Sequence, residues 1–123
     1  MNESNPTPPR VLIVEDDPRL VMAISDVLSD EGYETETATN GRAAIQSLAS
    51  GYSPDVIVLD LKMPLGSGFE VMNWLRWKGL HIPIVLSTQQ DEIEAADVGA
   101  VAKLCKPFTL EQLLECVAAA LGR

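Results

Sequence analysis

Groups able to do chemistry sit where apolar runs stop. Glu15-Asp16-Asp17 follows Val11-Leu12-Ile13-Val14, Asp60 follows Val56-Ile57-Val58-Leu59, Ser87-Thr88 follows the run Ile82 to Leu86, and Lys106 follows Ala100 to Cys105. Carboxylates brought close together repel unless a hard divalent cation or a shared proton neutralises them. Magnesium suits such a set, because it takes oxygen ligands, keeps several waters and binds one or two carboxylates plus a phosphoryl oxygen. A lysine and a hydroxyl opposite would hold further phosphoryl oxygens, and a carboxylate can itself be the nucleophile, giving an aspartyl phosphate. Taken alone, Asp60 is either a helix cap or a reactive group. The matching acids and lysine favour the second, since convergent titratable groups mark sites.

These groups need elements to position them. Short Val/Ile/Leu runs bounded by prolines or turn residues read as strands buried on both faces of a parallel sheet, and ligands of such sheets sit outside the carboxyl ends of the strands. Asp17-Pro18 reads as an N-cap and first helical residue, and Leu20, Ile24, Val27 and Leu28 give a helix from Pro18 to about Glu31, ended by Gly32. Tyr33 to Ala38 alternates as a half-exposed edge strand with charges outward. Asn40-Gly41 opens a second helix with Ala44, Ile45 and Leu48 inward and Gly51 as its stop. Leu61 to Gly68 is a loop. Phe69, Val71, Met72 and Leu75 form the stripe of a third helix, off which Trp74 and Trp77 fall. Gln89 to Asp97 is polar and short, the weakest of the helices. Thr109 and Gln112 form a capping box for a last helix whose inward residues are Leu110, Leu113, Leu114, Val117, Ala118 and Leu121.

Five strands alternating with five helices predict one flavodoxin-like α/β domain, a doubly wound parallel sheet in the order 2-1-3-4-5 over residues 10–123. Residues 1–9, polar and proline-rich, are expected to form a disordered tail. At 123 residues and 46% hydrophobic the chain can bury its own core. Its charge of −9, from 18 acidic and 9 scattered basic residues, argues against nucleic-acid binding. Cys105 and Cys116 lack metal-ligand spacing and read as reduced core thiols of a cytoplasmic protein, His81 reads as a solvated loop residue, and no apolar run approaches the roughly 20 residues of a membrane span.

Together, Val-Leu-Ile-Val-Glu-Asp-Asp, Asp-Val-Ile-Val-Leu-Asp-Leu-Lys-Met-Pro, Ile-Val-Leu-Ser and Lys-Pro-Phe resemble the receiver domain of bacterial two-component response regulators, over roughly residues 10 to 121. The resemblance implies that Asp60 accepts a phosphoryl group from a sensor histidine kinase or histidine phosphotransfer protein, and that the domain signals by protein contact to a downstream target instead of acting as an enzyme on other substrates. It implies magnesium held by Asp16, Asp60 and the backbone carbonyl of Lys62, with Glu15 holding its waters. Ser87, or Thr88 in its place, would bond one phosphoryl oxygen and Lys106 another, with a cis Lys106-Pro107 bond. Lys62 and Gln89 flank the expected phosphoryl group and are read as tuning its hydrolysis.

The chain departs from the family pattern in three places. The stretch from Ser87 to Lys106 is several residues shorter than usual, which predicts a truncated or irregular fourth helix. Thr88 stands where a small residue is usual. Lys103 occupies the place at which many receivers carry a switching Tyr or Phe. The competing readings are a degenerate receiver that binds partners without phosphorylation, a magnesium phosphohydrolase and a flavin module. The phosphohydrolase would want a second acid where Lys62 stands, and the flavin module a neutral loop where Glu15-Asp16-Asp17 stands. The receiver would be a stand-alone regulator or a domain of a longer chain.

Overall fold

The computed structural model describes residues 7–63, 67–89 and 93–123. Its elements are β1 (Arg10–Val14), α1 (Pro18–Asp30), β2 (Glu34–Ala38), α2 (Gly41–Ala49), β3 (Val56–Asp60), α3 (Gly68–Lys78), β4 (Ile84–Thr88), a 3-10 turn (Ala96–Val98), β5 (Ala102–Cys105) and α4 (Leu110–Ala120). The strands form one parallel sheet in the order β2-β1-β3-β4-β5, as the sequence predicts. The helix count differs: four α-helices are present among the described residues. Between β4 and β5, where a fourth of five was expected, only the 3-10 turn stands, and residues 90–92 of that segment lie outside the described residues.

Local chemistry explains the boundaries. Asp17 caps α1, accepting the Arg19 N–H at 3.0 Å, with Pro18 at the first helical position. Asn40 accepts the Ala43 N–H at 2.7 Å to start α2, Ser67 caps α3, and Thr109 and Gln112 close the capping box of α4. Helix α3 stops at Gly79, whose φ of 70° is the left-handed conformation that glycine adopts without a Cβ penalty. At the end of the expected tail the Pro9 carbonyl accepts the Glu34 N–H at 2.9 Å, and residues 1–6 lie outside the described residues. Residues 64–66 of the expected loop lie outside them as well.

Strand alternation divides the interior in two. Val11, Ile13, Val56, Val58, Val85 and Leu104 pack under α1 and α4, while Leu12, Val14, Ile57, Leu59 and Leu86 pack under α2 and α3. Every residue of β3 is buried, so the strand that carries Asp60 lies at the centre of the molecule. Each large side chain fully buried there contributes about 1.5–3 kcal/mol.

Several placements bear on the sequence reading. Phe69 and Leu110 are exposed, because each opens its helix at the first turn, beyond the reach of the sheet. Cys105 is exposed on the edge strand, while Cys116 is partly buried, and both are free thiols. Ser87 and Thr88 end β4, as the sequence reading has it, and both are buried. Trp74 packs against the core, whereas Trp77 is 77% exposed. No helix among the described residues is long and apolar enough to cross a membrane.

Candidate functional site

Register assembles the site. Val14 lies opposite Leu59, so the next residues, Glu15 and Asp60, leave β1 and β3 side by side. Asp60 in turn lies opposite Ser87, and Ser87 opposite Leu104, two residues before Lys106. The Lys106 N–H donates to the Thr88 carbonyl at 2.8 Å, and the Glu15 N–H to the Ala38 carbonyl at 3.1 Å, so both residues extend the ladder by one step. Alternation places Glu15, Asp60, Ser87 and Lys106 on the face that carries Ile13, Val58, Val85 and Leu104. Thr88 shares parity with Leu86, on the opposite face.

The resulting cleft, about 230 Å³, is lined by Glu15, Asp16, Asp17, Asp60, Lys62, Thr88, Gln89 and Lys106. Carboxylate oxygens of Glu15, Asp16 and Asp60 lie within 4.8 Å of one another. Lys106 Nζ donates to Glu15 Oε1 at 2.7 Å and to Asp60 Oδ2 at 3.4 Å. The Lys62 N–H donates to Asp60 Oδ1 at 3.2 Å, and the Asp17 N–H to Glu15 Oε2 at 3.1 Å. Seven of the eight residues expected at the site line this cleft. Ser87 does not, and its Oγ is buried with no hydrogen-bond partner among the described residues.

The electrostatics follow from burial. Glu15 is 2% exposed and Asp60 5%. Burial pushes the Glu15 carboxyl above its ordinary range, against the bonds from Lys106 and the Asp17 N–H, and Asp60 adds repulsion. Asp60 is raised by burial too, opposed by the charge of Lys106 and the Lys62 N–H and reinforced by Asp16. For Lys106 burial acts to lower the ammonium, but Glu15 and Asp60 outweigh it and leave the group raised. One ammonium thus serves two buried carboxylates with a third nearby, a set whose negative charge is incompletely neutralised.

Oxygen-only donors at this spacing fit a hard divalent cation that keeps some of its waters, and fit magnesium better than a metal preferring nitrogen or sulfur. The cluster faces a cleft wide enough for waters and a small anion.

Two features escape a reading of the sequence. Glu15 and Lys106, to which the motifs assign separate tasks, are each other's nearest charged partners here, because a buried carboxylate takes the closest cation. The other is Gly68. Its N–H donates to the Leu61 carbonyl at 3.1 Å, and a Cβ there would lie 2.4 Å from the Asp60 carbonyl oxygen and 2.9 Å from the Leu61 Cα. Helix α3 therefore starts against the backbone of Asp60, and only glycine permits that approach. The available signal was a glycine directly after a serine cap, which reads equally well as ordinary loop chemistry.

A parallel sheet in this order, with acids and a lysine converging at its carboxyl edge, defines a flavodoxin-like α/β domain with a charged site at the ends of its strands. The family model of the response regulator receiver domain matches residues 11–118, and the chain belongs to that family. Among its relatives, the response regulator MprA of Mycolicibacterium vanbaalenii is 40% identical over 120 residues, 94% of this chain and 52% of the relative. The transcriptional regulatory protein PdtaR of Mycobacterium tuberculosis is 37% identical over 120 residues, 94% of this chain and 58% of its own. The chain thus spans about half the length of these curated relatives. Among solved structures, the chemotaxis response regulator CheY4 of Vibrio cholerae superposes with a TM-score of 0.84 at 36% identity, over 94% of this chain and all of that one. The response regulator TrrA of Thermotoga maritima, solved in complex with Mg²⁺-BeF, gives 0.81 at 33% identity, over 92% of this chain and 99% of that one.

Proposed function

We propose that this receiver domain takes a phosphoryl group onto Asp60 from the phosphohistidine of a sensor histidine kinase or histidine phosphotransfer protein, with magnesium required, and passes the signal to a downstream protein by contact in the cytoplasm. The observation that carries the reading is the position of Lys106 Nζ between Glu15 Oε1 and Asp60 Oδ2, inside a cluster of three carboxylates at the end of β3. A cation and several anions gathered at a half-closed cleft match what phosphoryl transfer needs, which is positioning and charge neutralisation.

In the transfer, an Asp60 carboxylate oxygen bonds to phosphorus while the phosphorus–nitrogen bond of the donor breaks and its electron pair stays on the imidazole. Asp16, Asp60 and the Lys62 carbonyl would hold magnesium and Glu15 its waters, and the ion would neutralise phosphoryl and carboxylate charge. Lys106 moves from Glu15 toward a phosphoryl oxygen. The Lys62 N–H holds Asp60 Oδ1 and orients the carboxylate. Ser87 is proposed as the hydroxyl that bonds another phosphoryl oxygen, in preference to Thr88, because it shares the face of Asp60 and its Oγ has no other partner among the described residues. Lys62 and Gln89, at the mouth of the cleft, are proposed to tune attack by water. Changing both without altering the dephosphorylation rate would disprove that part.

The test is incubation with Mg²⁺ and acetyl phosphate, read by intact mass, beside beryllium fluoride binding. A single phosphoryl addition, absent in Asp60→Asn, is expected. Failure of the unaltered chain to respond would favour the second reading, a receiver that binds partners without phosphorylation. Two observations speak for that alternative: the 3-10 turn in place of a helix before β5, and Lys103 half-buried in β5. A phosphohydrolase is the weaker reading, since Lys62 stands where its general acid would.

A further inference from the structure

The amino-terminal ends of β4 and β5 frame a groove of about 430 Å³ on the side of the sheet away from the Asp60 cleft. Buried Met72, Leu75 and Ile84 form its base, and exposed Leu80 and Val101 stand on its two banks. It stays open because the 3-10 turn Ala96–Val98 is too short to cover the space between α3 and β5. Trp77, 77% exposed, lies on the same stretch of α3, with Lys78 Nζ 5.0 Å from its ring centroid. Leu80 and Val101 leave apolar surface exposed along the groove, the kind that marks interaction sites.

The charge on this patch is unlike that of the rest of the chain. Arg76 and His81 line the groove. Residues 71–90 contain no Asp or Glu, in a chain with 18 of them. Arg76 reaches toward the far bank, its Nη2 4.0 Å from where a Cβ on Gly99 would sit. Among the described residues neither Arg76, Lys78 nor His81 makes an ion pair, whereas Arg10 and Lys106 do. Asp97, exposed on the 3-10 turn, forms none with Arg76.

We propose that this groove docks an acidic peptide segment of a partner protein, its apolar side chains on Met72, Leu75 and Leu80 and a carboxylate on Arg76. Charge complementarity selects this occupant: Arg76, which makes no ion pair among the described residues, stands at the rim of an apolar trough, the pattern that an amphipathic segment with flanking acids satisfies. The groove lies at the opposite end of the sheet from Asp60, so the site does not depend on the phosphoacceptor reading.

The test titrates the ¹⁵N-labelled full chain with a helical peptide of about 15 residues, Leu on one face and Glu on the flanks, and with its Lys-flanked counterpart. Saturable shifts at Arg76, Leu80, Val98 and Val101 are expected for the Glu peptide alone. Arg76→Glu, at an exposed position that leaves folding intact, should weaken binding roughly fivefold or more. It should leave phosphorylation by acetyl phosphate as in the unaltered chain, which separates failure here from failure at Asp60. Absence of shifts, equal binding of both peptides, or unchanged binding in Arg76→Glu would overturn the proposal. So would sedimentation showing a dimer that Arg76→Glu dissociates, which would make a second copy the occupant.

Discussion

At the carboxyl ends of the strands a partly buried Lys106 is pinned between the buried carboxylates of Glu15 and Asp60, whereas at the amino ends of β4 and β5 Arg76 and His81 stand beside an apolar groove and pair with no carboxylate among the described residues. The same sheet thus spends its charges on itself at one end and leaves them for other molecules at the other. Backbone register makes the difference. Four neighbouring strands must end at nearly the same level, so residues one step past them are forced together. The amino ends of β4 and β5 are paired as closely, but apolar residues stand there and the chain beside them leaves a groove against α3. Crowding gives chemistry; openness gives recognition.

The sharpest way to break that contrast is to delete one cation at each end. Lys106→Ala leaves buried Glu15 and Asp60 without their shared ammonium and should cost about 3 kcal/mol in urea unfolding without added metal. Arg76→Ala should stay within about 0.5 kcal/mol of the unaltered chain. Equal losses would mean that the charges at both ends are structural.

Next in size is Gly68→Ala. A methyl group 2.4 Å from the Asp60 carbonyl oxygen cannot be accommodated without moving backbone, so a loss of about 1–3 kcal/mol is expected. Asp60 should be displaced as well, and acetyl phosphate labelling should slow in the fraction that remains folded. Gly99 provides the control for space, since its added Cβ would meet only the flexible tip of Arg76 at 4.0 Å, although its φ of 81° carries its own penalty.

Ser87→Ala sharpens the contrast differently. The hydroxyl has no partner to lose among the described residues, so stability should change by less than about 1 kcal/mol. Phosphorylation of Asp60 should nevertheless slow roughly tenfold or more, as when a positioned donor is removed from a reaction site. If Thr88→Val slows transfer and Ser87→Ala does not, the roles of the two hydroxyls are reversed.

The smallest effect concerns Tyr52, before the amino end of β3. Burial pushes its phenol up to about 12, helped by Glu36 and opposed by Arg10, with Glu34 and Asp55 adding to the rise. Below the unfolded value of about 10 the ring is neutral in both states and pH has no purchase on it. Above that, the unfolded chain ionises first while the folded one holds its proton, so stability falls as pH rises from about 10 toward about 12. Tyr52→Phe should flatten that part of the curve of urea midpoint against pH; an unchanged slope would show that another group causes it.

Much of this molecule could be read in order along the chain. Val11 to Val14 and Val56 to Leu59 announce buried parallel strands because an uninterrupted branched run has no solvent-facing side. Asp17-Pro18, Asn40-Gly41 and Thr109 with Gln112 announce helix starts because capping is a contact between residues two or three apart. These signals are local, and so is the position of each reactive group after its strand.

What the tertiary structure decided lies between residues distant in sequence. Lys106 meets Glu15 across 91 residues, and no periodicity encodes that the two would neutralise each other. Gly68 was one turn residue among several until α3 was seated on the Asp60 carbonyl. The open groove appears only once α3, β4 and the shortened segment before β5 are set side by side. Alternation fixes which face a side chain takes, but the neighbours on that face come from strand order and register, and their distances settle whether a charge is held in place or left free to bind.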